Sequence, residues 1–330
     1  MTKNRAMDFS ASALKVLHPR EVFSRFALAG ARPDGRSLAD ARKIGVSPGT
    51  LSTCDGSAVV RLGGTTVAAG VQVVLATSLP RGVLVEPPPA VQVGLQISPA
   101  SSSRFRRSGF SDPSTGRSAC IAQMVSNILR LSAVLDEAQL RVDDTTSFRL
   151  EVDAVCTTFD GNVEDAAILA VVCAVSTTVL PALLRRADGS WVLAASAQPS
   201  STAAEVTRPA GRVHLSCLPV PLSFACIRLA AAKAAADFVE GHGELRVVAD
   251  PTADEEALGS GTATFVAAIS LGSSVPTAPP SRLLLLQATG DPLDESQVRA
   301  CMQAAFDHAG LRSTEIRAAV AGVLGTPTAD

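Results

Sequence analysis

The spacing of apolar side chains changes period several times along the chain, and each change marks a predicted element. Residues 14–30, LKVLHPREVFSRFALAG, place Val22, Phe23 and Phe26 on one face at helical spacing, which predicts a short amphipathic helix. From Ile44 the texture turns to short runs rich in β-branched residues, punctuated by Asp55-Gly56 and Gly63-Gly64. Such dipeptides between apolar runs are hairpin signals, so SAVVRL and TTVAAGVQVVL read as parts of a β-meander. A Pro-rich loop covers residues 79–89, and VQVGLQI after it alternates like a strand. Residues 119–135, ACIAQMVSNILRLSAVL, return to the helical period, and residues 148–157, FRLEVDAVCT, alternate as a half-buried strand does.

The stretch FDGNVEDAA, residues 159–167, closes that strand with a tight turn and opens a helix whose first turn carries Glu164 and Asp165. Strand, Asp-Gly turn and helix in this order make a β-α unit. The acids are informative because a helix N-terminus, with its unpaired N–H groups and roughly half a unit of positive charge, is a ready anion site. Here the chain supplies the anions itself, and Asn162 is placed to cap the helix. Residues 166–184 then run 19 positions without a charge. Ser176, Thr177, Thr178 and Pro181 within them favour a buried core helix over a membrane span.

Residues 186–211 carry few order signals and are rich in Ala, Ser and Pro, reading as a linker or insertion. The second half repeats the grammar of the first, with strands in HLSCLPVPLSFACIRLA, ELRVVAD and GTATFVAAISL and a weaker one in RLLLLQATG. A helix begins at Asp294, which forms a capping-box pattern with Gln297. A second Ala-rich insertion lies at 230–243. The expected organisation is an N-terminal helical extension over 1–30, a first half over 31–185, the linker over 186–211 and a second half over 212–330. Two similar β-rich halves with helices packed on sheets make this an α/β or α+β chain.

Composition narrows function mainly by exclusion. With 29 basic and 31 acidic residues in 330, nothing global steers the chain to nucleic acid, so any RNA contact comes from a local patch. Seven scattered cysteines without a C-x-x-C pair, and four dispersed histidines, predict reduced thiols and no zinc site. The N-terminal residues lack a continuous apolar run, so no secretory signal is read and a cytosolic or nuclear location is expected. One local patch stands out: Arg104, Arg106 and Arg107 put three guanidiniums into four residues around Phe105. Such a cluster suits the phosphates of single-stranded RNA, with Phe105 either stacking on a base or anchoring the loop in the core.

Three ordered motifs resemble the RNase PH family, and specifically the ring subunits of the RNA exosome: Arg32-Pro33-Asp34-Gly35-Arg36, Cys54-Asp55-Gly56-Ser57-Ala58 and Gly64-Thr65-Thr66-Val67. LHPREVFSRFALAGARPDGR, SSSRFRRSG and the segment Asp250-Pro251-Thr252-Ala253-Asp254-Glu255-Glu256 are similar to subunits of the non-catalytic archaeal type. The short FDGN turn and the SSSRF loop resemble the subfamily of the eighth component in the human numbering. The resemblance implies an α+β RNase PH fold (ribosomal protein S5 domain 2-like) of two βαβα-like halves. It also implies a place in a hetero-hexameric ring around an RNA channel.

Active family members bind phosphate with a Thr and an Arg at the helix start, positions matched here by Val163 and Glu164. Val163 has no hydroxyl, and two anions about 4 Å apart repel by roughly 1 kcal/mol per unit charge pair in water and about 4 kcal/mol at an effective dielectric near 20. The resemblance therefore implies a subunit that is not an enzyme, with no catalytic residues, no cofactor and no metal, although Asp250 and Glu256 stand near positions that hold a divalent ion in active relatives. Those second-half acids are expected to be solvated. Expected partners are neighbouring RNase PH-like subunits, cap subunits with S1 or KH modules, a hydrolytic exoribonuclease and single-stranded RNA, with no membrane. The work implied is 3'-to-5' RNA turnover and rRNA processing in nucleus, nucleolus and cytoplasm, and the rival reading is an active phosphate-dependent exoribonuclease.

Overall fold

The computed structural model describes residues 17–77, 89–105, 113–131, 134–143, 145–186, 190–193, 205–229, 245–270, 282–290 and 294–324. Helix α1 (Pro19–Leu28) starts with a proline in its first turn, where the missing N–H costs nothing. It docks through Phe23, Ser24 and Ala27, and Phe26 is left 40% exposed, so the buried stripe lies to one side of the expected face.

The first sheet has the order β1-β2-β3-β5-β4, formed by β1 (Ile44–Pro48), β2 (Gly56–Leu62), β3 (Thr65–Thr77), β4 (Val91–Ile97) and β5 (Thr146–Thr158). Gly63-Gly64 makes the β2–β3 hairpin, with Leu62 opposite Thr65. Asp55-Gly56 makes none: β1 pairs with β2 from Pro48 opposite Ala58, across a longer connection. Asp55 instead accepts the Val73 N–H through its side chain and the Val179 N–H through its carbonyl, tying that connection across the sheet. Strands β4 and β5 are parallel, joined by the crossover helix α2 (Pro113–Leu131).

The charge-free run becomes helix α3 (Val163–Thr177), packed between the first sheet and the second. A helix buried on all sides must be apolar on all sides, and its alanines allow close approach. An added Cβ on Gly56 would lie 2.6 Å from the Ala174 carbonyl and 2.2 Å from Thr178 Oγ1. Among the described residues no helix is long and apolar enough to cross a membrane.

The described part of the expected linker, 186–211, carries β8 (Trp191–Leu193), β9 (Glu205–Arg208) and the first residue of β10 (Gly211–Arg212). With β6 (Val179–Leu180) and β7 (Leu183–Arg185), which precede it, they form a β8-β7-β9 sheet and a β10-β6 ladder. Asp143 accepts the Trp191 indole N–H at 2.6 Å, which anchors β8. The insertion at 230–243 lies outside the described residues.

The second sheet, β12-β11-β13-β14, is antiparallel throughout, from β11 (Cys217–Arg228), β12 (Leu245–Ala249), β13 (Gly261–Ser270) and β14 (Arg282–Gly290). Strand β11 is buried along nearly its whole length, against α3, against α1, and against α5 (Glu295–Leu324). Its prolines 219 and 221 fall in the half that β12 does not reach, since β12 pairs only from Phe224 onward, so no second ladder needs their missing N–H groups. Helix α4 (Ala253–Leu258) is short and closed by a full Thr252–Glu255 capping box.

The Gly56→Ala variant is expected to lose about 1–3 kcal/mol in urea denaturation, through overpacking against α3. Gly211→Ala, with nothing within 4 Å of the added Cβ, serves as the near-neutral comparison.

Candidate functional site

The junction of the two halves is built on the turn after β5. Asn162 sits in the left-handed region at φ 53° and caps α3 by accepting the Asp165 N–H. Its side-chain amide donates to Asp165 at 2.8 Å and to Asp250 at 2.6 Å, so one buried residue bridges acids from both halves. Gly161 is glycine for a steric reason: its φ is +81°, and a Cβ there would sit 2.4 Å from the Thr252 backbone. Thr65 Oγ1, fully buried, donates to the Gly161 carbonyl and accepts the Asp160 N–H, which holds the turn from the β2–β3 side.

Asp250 is the hub. It follows β12, has a left-handed backbone (φ 47°) and is fully buried. Arg42 donates to it from its backbone N–H, Nε and Nη2 at 2.7, 2.9 and 2.9 Å, and Arg36 and Asn162 also donate. Five donors saturate the two oxygens. These hydrogen bonds and the nearby Arg42 and Arg312 charges overcome burial and hold the carboxyl at about 2. No lone pair is left for a metal, and among the described residues no group of three His, Cys, Asp or Glu is arranged for one.

Arg32 of the first motif is equally enclosed, and each of its five N–H groups has an acceptor. Nε and Nη2 pair with Glu255, Nη1 reaches the carbonyls of Asp40 and Ala249, and Nη2 reaches that of Asp250. Ser57 of the second motif receives the Leu51 N–H and donates its own N–H to Thr177 Oγ1. Arg32 thus fastens β12 and α4, Thr65 fastens the FDGN turn, and Ser57 fastens the β1–β2 connection to the end of α3.

At the helix start, Val163 is buried and apolar, and Glu164 reaches Arg117 of α2 at 2.9 Å. Arg117 also binds Glu256 of α4 at 3.1 Å and lies over the Phe159 ring, 5.4 Å from its centroid. Glu256 accepts the Asn162 backbone N–H as well. One guanidinium therefore holds two carboxylates at the N-terminus of α3. Burial and the Glu164 charge push the Glu256 carboxyl up while Arg117 opposes them. A phosphate entering here would have to displace Glu256 from the Asn162 N–H and both acids from Arg117.

The expectation of solvated second-half acids is corrected. Asp250 and Glu255 are buried and Glu256 nearly so, because each has arginine or backbone donors to offset desolvation; Asp254 alone, with a side chain 96% exposed, is solvated. Of the basic loop, Arg104 donates to the Ala253 carbonyl and to Asp254. Phe105 is buried edge-on against Phe159 at 4.9 Å, so it anchors the loop in the core. Arg106 and Arg107 lie outside the described residues. The sequence reading missed Arg42, Arg117 and Arg312, whose partners are far along the chain and leave no local spacing to detect. All seven cysteines are free thiols, five of them buried.

Residues 40–181 match the family model described as 3' exoribonuclease family, domain 1. Exosome complex component rrp43 of Schizosaccharomyces pombe is 26% identical over 58% of this chain and 69% of its own length. Exosome complex component Rrp42 of Pyrobaculum aerophilum is 32% identical over 52% of this chain, and the chain spans 60% of that relative. Among solved structures, the Archaeoglobus fulgidus exosome with RNA bound to the active site superposes with a TM-score of 0.61 at 21% identity, over 88% of this chain and 94% of that one. An archaeal exosome core gives 0.61 at 19% identity, over 90% and 96%. These superpositions establish a shared RNase PH fold.

Two outcomes are expected of the network. Arg32→Ala strands Glu255 and three carbonyls and should cost about 3–5 kcal/mol in chemical denaturation. Asp165, fully buried, has its carboxyl raised from 3.8 to about 6 by desolvation, against Arg312, Ser223 and Asn162. Between those pH values the folded chain keeps a proton that the unfolded chain has released, so this group's contribution to stability falls as pH rises through the interval. Asp165→Asn should remove that fall: the variant's Tm relative to the parent's rises from about pH 4 to 6 and then levels off.

Proposed function

We propose that this chain, whose residues 40–181 form an RNase PH domain of the kind found in exosome complex components rrp43 and Rrp42, is a non-catalytic subunit of an exosome core ring. The observation that carries the reading is the α3 start, where Glu164 and Glu256 share Arg117 and Val163 fills the place of a hydroxyl donor. Phosphorolysis needs an anionic nucleophile bound beside the RNA end, and here two carboxylates already occupy the available cation and the Asn162 N–H. Asp250, the acid nearest to a metal-binding role, is spent on arginines.

The remaining role is architectural: completing a hetero-hexameric ring with other RNase PH-like subunits, beneath S1 or KH cap subunits, and guiding single-stranded RNA to a separate hydrolytic nuclease. RNA turnover and rRNA processing in nucleus, nucleolus and cytoplasm fit that role. Within the basic loop, Arg104 donates to Ala253 and Asp254, and Arg106 and Arg107 are proposed with it as the residues that take RNA phosphates.

The test is a reconstituted ring with 3'-labelled RNA, Mg2+ and phosphate, without the hydrolytic nuclease. No release of nucleoside diphosphate should depend on this chain; phosphate-dependent release that vanishes on Glu164→Gln would overturn the reading. Changing Arg104, Arg106 and Arg107 together to Ala should weaken RNA crosslinking to the ring and leave assembly intact, with Arg106→Ala/Arg107→Ala accounting for most of the loss.

A further inference from the structure

Arg312 of α5 is 3% exposed, and neither of its terminal nitrogens has a hydrogen-bond acceptor among the described residues. A buried guanidinium left in this way carries the full cost of losing its water. Asp250 Oδ2 stands 3.9 Å from its Nη2, beyond hydrogen-bond length. The distance follows from that oxygen's other partners. Oδ2 already accepts the Arg42 backbone N–H at 2.7 Å, Arg42 Nε at 2.9 Å and Arg36 Nη1 at 3.3 Å, so it has no lone pair for a fourth donor.

Arg36 repeats the pattern. Its Nη2 is buried without an acceptor among the described residues, while its Nη1 reaches the same Asp250 oxygen. Two guanidiniums thus flank one saturated oxygen with three terminal nitrogens to spare. The charges around them are uneven. Arg36, Arg42 and Arg312 face two buried carboxylates, Asp250 and Asp165. Asp34 on Arg36 and Asp160 on Arg42 have side chains 37% and 50% exposed, where water screens them. Arg32 and Glu255 form a closed pair beside this group, and His308, one turn before Arg312 on α5, acts on Asp40. A water molecule would need acceptors for its own two protons, and the Asp250 oxygens are taken; an anion needs donors only.

We propose that Arg36 and Arg312 together bind a small monovalent anion, chloride in ordinary buffers, inside the junction of the two halves. Arg36, its side chain 16% exposed, is the entrance, and Arg312 is the inner wall. Enclosed to this degree, the site takes a bare ion and not a phosphate of a nucleic-acid chain, and it stands whether or not the chain is catalytic. Burial raises the Asp165 carboxyl to about 6, and the Arg312 charge opposes that rise. The ion and ionised Asp165 therefore compete for Arg312, and the ion binds more tightly once Asp165 is protonated.

Thermal melts of the full-length chain in sodium chloride against sodium gluconate, at equal ionic strength so that screening is the same, test this. Chloride should raise Tm saturably, by about 3 °C once it exceeds its Kd about tenfold, and by more at pH 5 than at pH 7.5. In Asp165→Asn the gain at pH 7.5 should match the parent's at pH 5, which separates Asp165 from His308. Arg36→Gln should weaken the apparent chloride affinity about tenfold, and Arg312→Gln should abolish the gain. If Arg312→Gln does not fold, Arg36→Gln decides alone. Equal melting in the two salts overturns the proposal, because water or closure of Arg312 onto Asp165 then serves the guanidiniums. So does a chloride gain that is the same at both pH values, or one that Arg36→Gln leaves unchanged.

Discussion

A carboxylate without any contact with water has to be compensated, and the architecture depends on how Asp250 is. Burying an isolated charge costs more than most folds can offset, so the surrounding donors are obligatory. Arg36 and Arg42 arrive from the connection between α1 and β1, Asn162 from the head of α3, and Arg312, 3.9 Å away, from α5. Three separate segments are thus committed to one point. The strained left-handed backbones of Asn162 and Asp250 persist because this convergence over-determines them.

This view separates the family-like motifs from the charged groups at the α3 start. Arg32 and Thr65 hold the strand-to-helix junction, Asp55, Gly56 and Ser57 hold the far end of α3 and β3, and none of them sits among the charged groups on Arg117. Val163 and Glu164 differ in kind from these residues: they set the side chains at the helix start while Asn162 caps it.

Much of the fold was legible because period and punctuation are local signals. The Gly63-Gly64 hairpin, the β5-α3 unit and the second-sheet strands all follow from them. Failures came where tertiary contact decided the outcome. Phe26 has the right spacing but faces solvent, Asp55-Gly56 looks like a hairpin and acts as a cross-sheet tie, and β8 and β9 gain order from pairing with β7. Within the site, the acidic helix start was readable, because residue type alone shows an anion where an anion would bind. Its partners were not: Glu164 meets Arg117 across 47 positions and Glu256 meets it across 139.

The seat taken by Glu256 ties the charges at the α3 start to one another. If Glu164 were changed to a cation, that new charge would face Arg117, while Glu256 kept its hold on the Asn162 N–H. If Glu256 went first, the Asn162 N–H would lose its partner and nothing would be gained in exchange. Either single step leaves a buried group without its partner, so the three charges on this junction are replaceable only together.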